Sequence, residues 1–234
     1  MSHLNDPAKV SVQYASENNL RARQNLYEET EGPRALEVLW DALAELAPRR
    51  VLEAGGGPGE LAERMRDELD AAVSFLDISP RMVELAQERG LDARLGDVQS
   101  LPFADETFDT AVAAWMLYHV PDIDRGIAEL ARVLEPGGRL VAVTNSELHH
   151  LRELRELIAD PSAELFSREN GEEFLRRHFS VVERLDADGV VTVRDRAKLV
   201  AYRDSLSVQT EPIPDDVELP FIVHCASSIF IASK

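Results

Sequence analysis

The sequence predicts an α/β fold built on a mostly parallel sheet with helices on both faces. Three observations predict it. Short apolar strands at about 50–54, 73–77, 92–95, 109–115 and 139–144 alternate with helical segments at about 59–69, 80–89 and 122–134. Crossovers of helical length join parallel strands rather than hairpins. The first strand also runs directly into Gly55-Gly56-Gly57-Pro58-Gly59 and then an amphipathic helix from Glu60 to Leu69. Gly55, Gly57 and Gly59 let the backbone turn sharply and approach a small molecule closely.

Each element has a local cause. Asp6-Pro7 reads as a helix N-cap followed by proline at the first helical position. It opens a polar, helix-prone stretch to Glu31, with Tyr14, Leu20, Leu26 and Tyr27 as its apolar points, and Gly32-Pro33 breaks it. Leu36, Leu39, Leu43 and Leu46 recur at helical spacing until Pro48. Ser79-Pro80 caps the helix at 80–89, and Pro136-Gly137-Gly138 turns the helix at 122–134 into the fifth strand. Beyond Thr144 the rhythm changes. Helices are expected at 147–159, 168–177 and near 195–206, with strand 179–185 and a separate β-like run, Val190-Val191-Thr192-Val193. Phe221 to Ser233 reads as a final strand after a proline-bearing loop at 207–219.

With 234 residues, 44% hydrophobic and 29% charged, the chain reads as one globular domain, residues 1–234. Its parts are a helical cap (1–48), a ligand-binding core (49–145) and covering segments with the final strands (146–234). No apolar run approaches the roughly 20 residues of a membrane span, and Met1 to Lys9 carries no apolar signal region, which predicts a cytoplasmic location. Cys225 is the single cysteine, so neither an internal disulfide nor a cysteine metal site is available. Asp and Glu number 43 against 25 Lys and Arg, a formal charge of -18 with scattered arginines. Nucleic-acid binding rests on cationic contacts, so a nucleic-acid partner is disfavoured.

Several motifs in order point to one family. Glu53-x-Gly55-x-Gly57-x-Gly59, then Asp77-Ile78-Ser79-Pro80-Arg81-Met82, then Gly96-Asp97-Val98-x-x-Leu101-Pro102-Phe103 are followed by Phe108-Asp109, Tyr118-His119-Val120 and Arg132-Val133-Leu134-x-Pro136-Gly137-Gly138. Over about 50–145 this resembles the class I S-adenosylmethionine-dependent methyltransferases, especially the subgroup with ubiquinone- and menaquinone-biosynthesis enzymes. The resemblance implies a Rossmann-like, mostly parallel seven-stranded sheet, S-adenosyl-L-methionine as cofactor and a small-molecule acceptor. It implies that Glu53 helps hold the methionine ammonium, directly or through water. It also implies that Asp97 takes the adenine amino group, that the Val98 N–H reaches a ring nitrogen, and that Ala114 makes the backbone contact near the methionine part.

The chemistry of the residues agrees. Asp77 ends the second strand 18 residues beyond Gly59, where a carboxylate can accept both hydrogen bonds of a ribose diol. An N-cap is its structural alternative, but Ser79 suits that role. Ile78 and Met82 pack on the adenine ring or in the core. A dehydrogenase is the alternative enzyme, but its fingerprint needs a small sixth residue where this chain has Glu60. A carboxylate there opposes a pyrophosphate, whereas the methyl donor carries a cationic sulfonium. A non-catalytic S-adenosylmethionine-binding protein is the other alternative.

Methyl transfer is an in-line displacement with a neutral thioether leaving group, so alignment and water exclusion suffice unless the acceptor must first lose a proton. His119, in the loop Trp115 to Val120, is the candidate base; alternatively it packs near the methionine moiety and orients that loop. Tyr118 lines the acceptor pocket or fills the core, and Trp115 and Met116 read as core. His149 and His150 are adjacent, a poor metal pair on a helix; each is a substrate contact or a solvated helix start. Tyr14 is the cap residue expected to reach the donor.

Overall fold

The computed structural model describes residues 17–161 and 165–234. The Asp6-Pro7 cap and Tyr14 lie outside the described residues. Among the described residues eight strands form one sheet: β1 (Thr30–Glu31), β2 (Arg50–Ala54), β3 (Ala72–Asp77), β4 (Asp92–Leu95), β5 (Phe108–Ala114), β6 (Leu134–Asn145), β7 (Val181–Val193) and β8 (Phe221–Ser233). Their spatial order is β1-β7-β8-β6-β5-β2-β3-β4. The run β4-β3-β2-β5-β6 is wholly parallel. β8 lies antiparallel between β6 and β7, and β1 pairs antiparallel with β7. The strand order reverses beside β2, between β3 and β5, and such reversals create the ligand crevice of open α/β sheets.

Helices α1 (Asn18–Leu26), α2 (Ala35–Leu46), α3 (Glu60–Leu69), α4 (Pro80–Glu88), α5 (Ile123–Val133), α6 (Arg152–Leu157), α7 (Gly171–Leu175) and α8 (Arg196–Asp204) complete the described elements, with 3-10 turns at Tyr27–Glu29 and Leu117–His119. Neighbouring strand residues face opposite sides, as the pleat requires. Val51, Val112 and Val141 pack with Leu39 and Leu43 of α2 and Met65 of α3. Their neighbours Leu52, Ala111 and Leu140 pack with Ile127 and Leu130 of α5 and Leu175 of α7. Both faces of β2, β5 and β6 are thus covered, which is why those strands read as apolar runs, whereas the edge strand β4 is mostly exposed.

Four expectations are corrected. The sheet has eight strands rather than seven, because Thr30–Glu31 leaves the expected helix and pairs with Val190–Val191. The sequence predicts separate elements at 179–185 and 190–193, but β7 is one strand of 13 residues. Gly189 is no break: a Cβ there would fall 2.9 Å from the Glu31 carbonyl oxygen, so the glycine admits β1 at close range. The helix expected at 147–159 is only Arg152–Leu157, because Leu151 takes a left-handed φ of 52° and donates its N–H to the His224 carbonyl. The helix expected at 168–177 is Gly171–Leu175.

Candidate active site

A cavity of about 830 Å³ opens at the carboxyl ends of β2, β3, β5 and β6. Its floor is the turn after β2. Gly55, Gly57 and Gly59 have φ of 67°, 58° and 80°, values that favour glycine, and the Gly55 N–H closes the turn onto the Leu76 carbonyl at 2.7 Å. Met116 stands against Gly55, where a Cβ would lie 2.8 Å from its own Cβ. Over Gly57 the space is open except for Leu20 of α1 at 3.6 Å from a built Cβ.

Glu53 is buried, 1% exposed, at the end of β2 and in the cavity wall. Burial pushes its carboxyl up to about 8, against the Ala62 backbone N–H and with the help of the Asp77 charge. Its Oε2 has no hydrogen-bond partner. A buried carboxylate oxygen left unmatched is costly in a folded chain, which marks it as a place for a ligand donor.

Asp77 ends β3 and is 7% exposed. Its Oδ2 accepts the Gly57 N–H at 3.2 Å and its Oδ1 accepts the Ser79 N–H at 2.8 Å, so this side chain ties the glycine turn to the start of α4. Burial raises its carboxyl to about 6, outweighing the N–H groups of Ser79, Gly57 and Ile78 that favour the charged form. Ser79 is the N-cap of α4, accepting from Met82. Ile78 is half-buried and lines the cavity; Met82 is fully buried in the core.

Asp97 lines the next stretch of wall. Both of its oxygens accept from the Gln99 amide, at 3.1 and 2.9 Å, and Oδ1 also accepts the Gln99 N–H at 2.9 Å. Val98 is buried in the core cluster and lines the cavity, and Ala114, half-buried, closes the end of β5.

The loop after β5 forms the middle of the cavity. Trp115 takes a φ of 52°, and its indole N–H donates to Asn145 Oδ1 at 3.1 Å, which also accepts from the Ser227 hydroxyl at 2.8 Å. Trp115 and Met116 pack against the buried core, as expected, and also line the cavity. Tyr118 and His119 follow in the 3-10 turn, ring centroids 4.5 Å apart in an edge-to-face pair, both at the cavity wall.

At the far end, His149 is exposed whereas His150 is buried in the wall. His150 Nδ1 accepts the Ala226 N–H at 3.1 Å, and its Nε2 lies 3.0 Å from the Tyr27 hydroxyl. Burial, with the charges of Arg155 and Arg168, drives the imidazole down to about 3. Tyr27, Gly56 and the wall role of Met116 escaped the sequence reading. Gly56 carried a signal as the middle of three glycines, but Tyr27 meets His150 across 123 residues, and no local pattern announces that.

The methyltransferase domain family matches residues 52–142. The chain is 30% identical over 200 residues to phthiotriol/phenolphthiotriol dimycocerosates methyltransferase 1 of Mycobacterium ulcerans, covering 81% of this chain and 72% of that one. It is 36% identical over 121 residues to the ubiquinone/menaquinone biosynthesis C-methyltransferase UbiE of Dinoroseobacter shibae, covering 48% of each. A solved SAM-dependent methyltransferase of Thermotoga maritima, 24% identical, shares the fold with a TM-score of 0.54 over 80% of this chain and 82% of that one. The chain spans about half the length of several curated relatives, 42% to 50%. With a relative matched over most of both lengths and the family's domain matched across the parallel core, the chain belongs to the class I S-adenosylmethionine-dependent methyltransferases.

Proposed function

We propose that this chain is a cytoplasmic enzyme that transfers the methyl group of S-adenosylmethionine to a small-molecule acceptor. The observation that carries the proposal is the unpartnered, buried Oε2 of Glu53 beside a glycine turn, with Asp77 and Asp97 on the same cavity. These residues fit the cofactor. Glu53 is assigned to the methionine ammonium, and Gly55 and Gly57 to close backbone approach. By hydrogen-bond geometry Asp77 accepts two N–H groups, those of Gly57 and Ser79, which leaves about two of a carboxylate's roughly four acceptor sites for a ribose diol. Ile78 is assigned to the adenine face, Asp97 and Val98 to its edge, and Ala114 to the methionine part. Tyr14 keeps its assignment to the donor as part of this proposal.

When bound, the cofactor supplies an electrophilic methyl carbon whose leaving group is a neutral thioether. What the chain must add is alignment and a dry pocket. The 1–48 and 146–234 segments are assigned to closing the site over the 49–145 core. Tyr118 and His119 are assigned to the face from which the methyl leaves, with His119 holding the loop. The apolar share of the cavity lining, with Leu151, Tyr202, Leu206 and Val208, supports an apolar acceptor, as does the naming of two relatives for ubiquinone/menaquinone biosynthesis and for phthiotriol dimycocerosates. No helix among the described residues is long and apolar enough to cross a membrane. A charge of -18 argues against nucleic acid as substrate. The test is methyl transfer from labelled S-adenosylmethionine to a panel of phenols, enols and amines. Turnover of a small molecule supports the assignment, and binding without turnover across the panel favours the sensor alternative.

A further inference from the structure

The far end of the cavity holds a polar pair that methyl transfer as derived above does not use. The His150 ring accepts a backbone N–H at Nδ1, from Ala226 at 3.1 Å, inside a buried wall. That nitrogen therefore carries a lone pair, and in the neutral imidazole the proton sits on Nε2. Nε2 lies 3.0 Å from the Tyr27 hydroxyl, so the imidazole donates and the phenol oxygen accepts. The phenol hydrogen is then directed elsewhere.

Both residues of the pair line the cavity, the open space that the O–H can serve. The hydroxyl's electrostatic neighbours are Tyr202, Cys225, Tyr118 and Arg23, and each of them lines the cavity. Tyr118, in the same turn as His119, lines the same cavity as Tyr27. Tyr27 packs against a buried cluster with Leu26, Leu151, Val223 and Cys225, of which Leu151 and Cys225 also line the cavity. An oriented O–H donor in such a wall discriminates strongly, because a ligand lacking an acceptor atom leaves it unmatched.

We propose that the Tyr27 hydroxyl, fixed by His150, reads an oxygen on the methyl acceptor, and that the acceptor is an apolar small molecule with a hydrogen-bond-accepting oxygen, such as a ring carbonyl. The proposal rests on the methyltransferase reading for its choice of ligand and on the geometry for its donor. Tyr27 acts as a specificity-determining residue. It is no base, since burial holds its phenol well above the ordinary tyrosine range.

Two measurements test it. Nitrogen-15 NMR of the full chain at pH 7 reports the His150 tautomer directly; a protonated Nε2 with a bare Nδ1 is expected, and the reverse overturns the donor assignment. Ligand-observed NMR then compares matched probes, 1-indanone against indane and 1-tetralone against tetralin, with and without saturating S-adenosylhomocysteine. The ketones are expected to bind about three- to tenfold more tightly than the hydrocarbons, the worth of one hydrogen bond, and the difference should fall below twofold in Tyr27→Phe. Equal affinities in the unmodified chain, a preference that survives Tyr27→Phe, or no binding of either ketone would overturn the proposal. Failure of S-adenosylhomocysteine itself to bind would overturn the methyltransferase reading instead, while the ketone comparison without it still decides the role of Tyr27.

Discussion

Gly56 lies against the carboxyl group of Glu53: a Cβ on Gly56 would fall 2.5 Å from the Glu53 Cδ and 2.7 Å from its Oε2. Phe75 blocks the other way out at 2.6 Å. The middle glycine of the triplet is therefore required by sterics rather than by backbone freedom, since its φ is not in the left-handed region. Gly56→Ala should displace the carboxyl group, lower stability by about 1–3 kcal/mol and weaken donor binding at least tenfold. Thermal unfolding and calorimetry check both; a variant normal in each would show that the Glu53 position is not used.

The Glu53 proton supplies a second expectation. Its folded carboxyl is raised to about 8 from an ordinary 4.5, so between those values the folded chain holds a proton that the unfolded chain has released. Stability conferred by that proton is complete below about 4.5 and is lost as pH rises through about 8. A cation bound beside the carboxylate favours its charged form and should expel the proton. Calorimetry of S-adenosylmethionine at pH 7 in buffers of different ionisation enthalpy should register release of a substantial fraction of one proton. Glu53→Gln should abolish the release, weaken the donor and make the empty protein more stable at pH 8. Binding with no proton release in the unmodified chain would place the ammonium elsewhere.

His150 works in the opposite direction. Its folded imidazole is depressed to about 3 from 6.5, so the stability it contributes is present above 6.5 and is lost as pH falls towards 3. The unmodified chain should lose stability faster than His150→Gln on acidification from pH 7 to pH 4. Urea unfolding at several pH values measures the difference, and parallel curves would mean the ring is solvated.

Much of the site was legible in the sequence because parallel strands deliver their carboxyl ends to one edge. Glu53, Asp77 and Asp97 each end a strand or follow one, so finding the strands places the acids. The residues that escaped are those whose meaning depends on distant chain. Tyr27 reads as an apolar point of a helix until β8 brings Ala226 against His150. Trp115 and Met116 read as core because they are apolar, and they do pack against it; that they also line the cavity depends on the strand ends gathered around them. Thr30–Glu31 reads as helix because two polar residues carry no strand signal; β7 recruits them through its own unpaired edge.

His119 decides whether the reaction needs a base. With its N–H on the Met116 carbonyl at 2.9 Å and its ring against Tyr118, it is built into the loop. His119→Ala should lower donor affinity and turnover together, each by less than about tenfold. A fall in turnover of about 10²–10⁴ with donor affinity intact would instead make it the general base.

The donor assignment is tested most directly by calorimetric titration of the intact chain with S-adenosylmethionine, S-adenosylhomocysteine and NADH, repeated in Asp77→Ala. The account predicts that the first two bind and the dinucleotide does not, because Glu60 at the start of α3 opposes a pyrophosphate. It further predicts that Asp77→Ala weakens the donor by about 1–3 kcal/mol, the cost of lost charged hydrogen bonds. Binding of NADH with none of the methyl donor, or an Asp77→Ala variant of unchanged affinity, would contradict it.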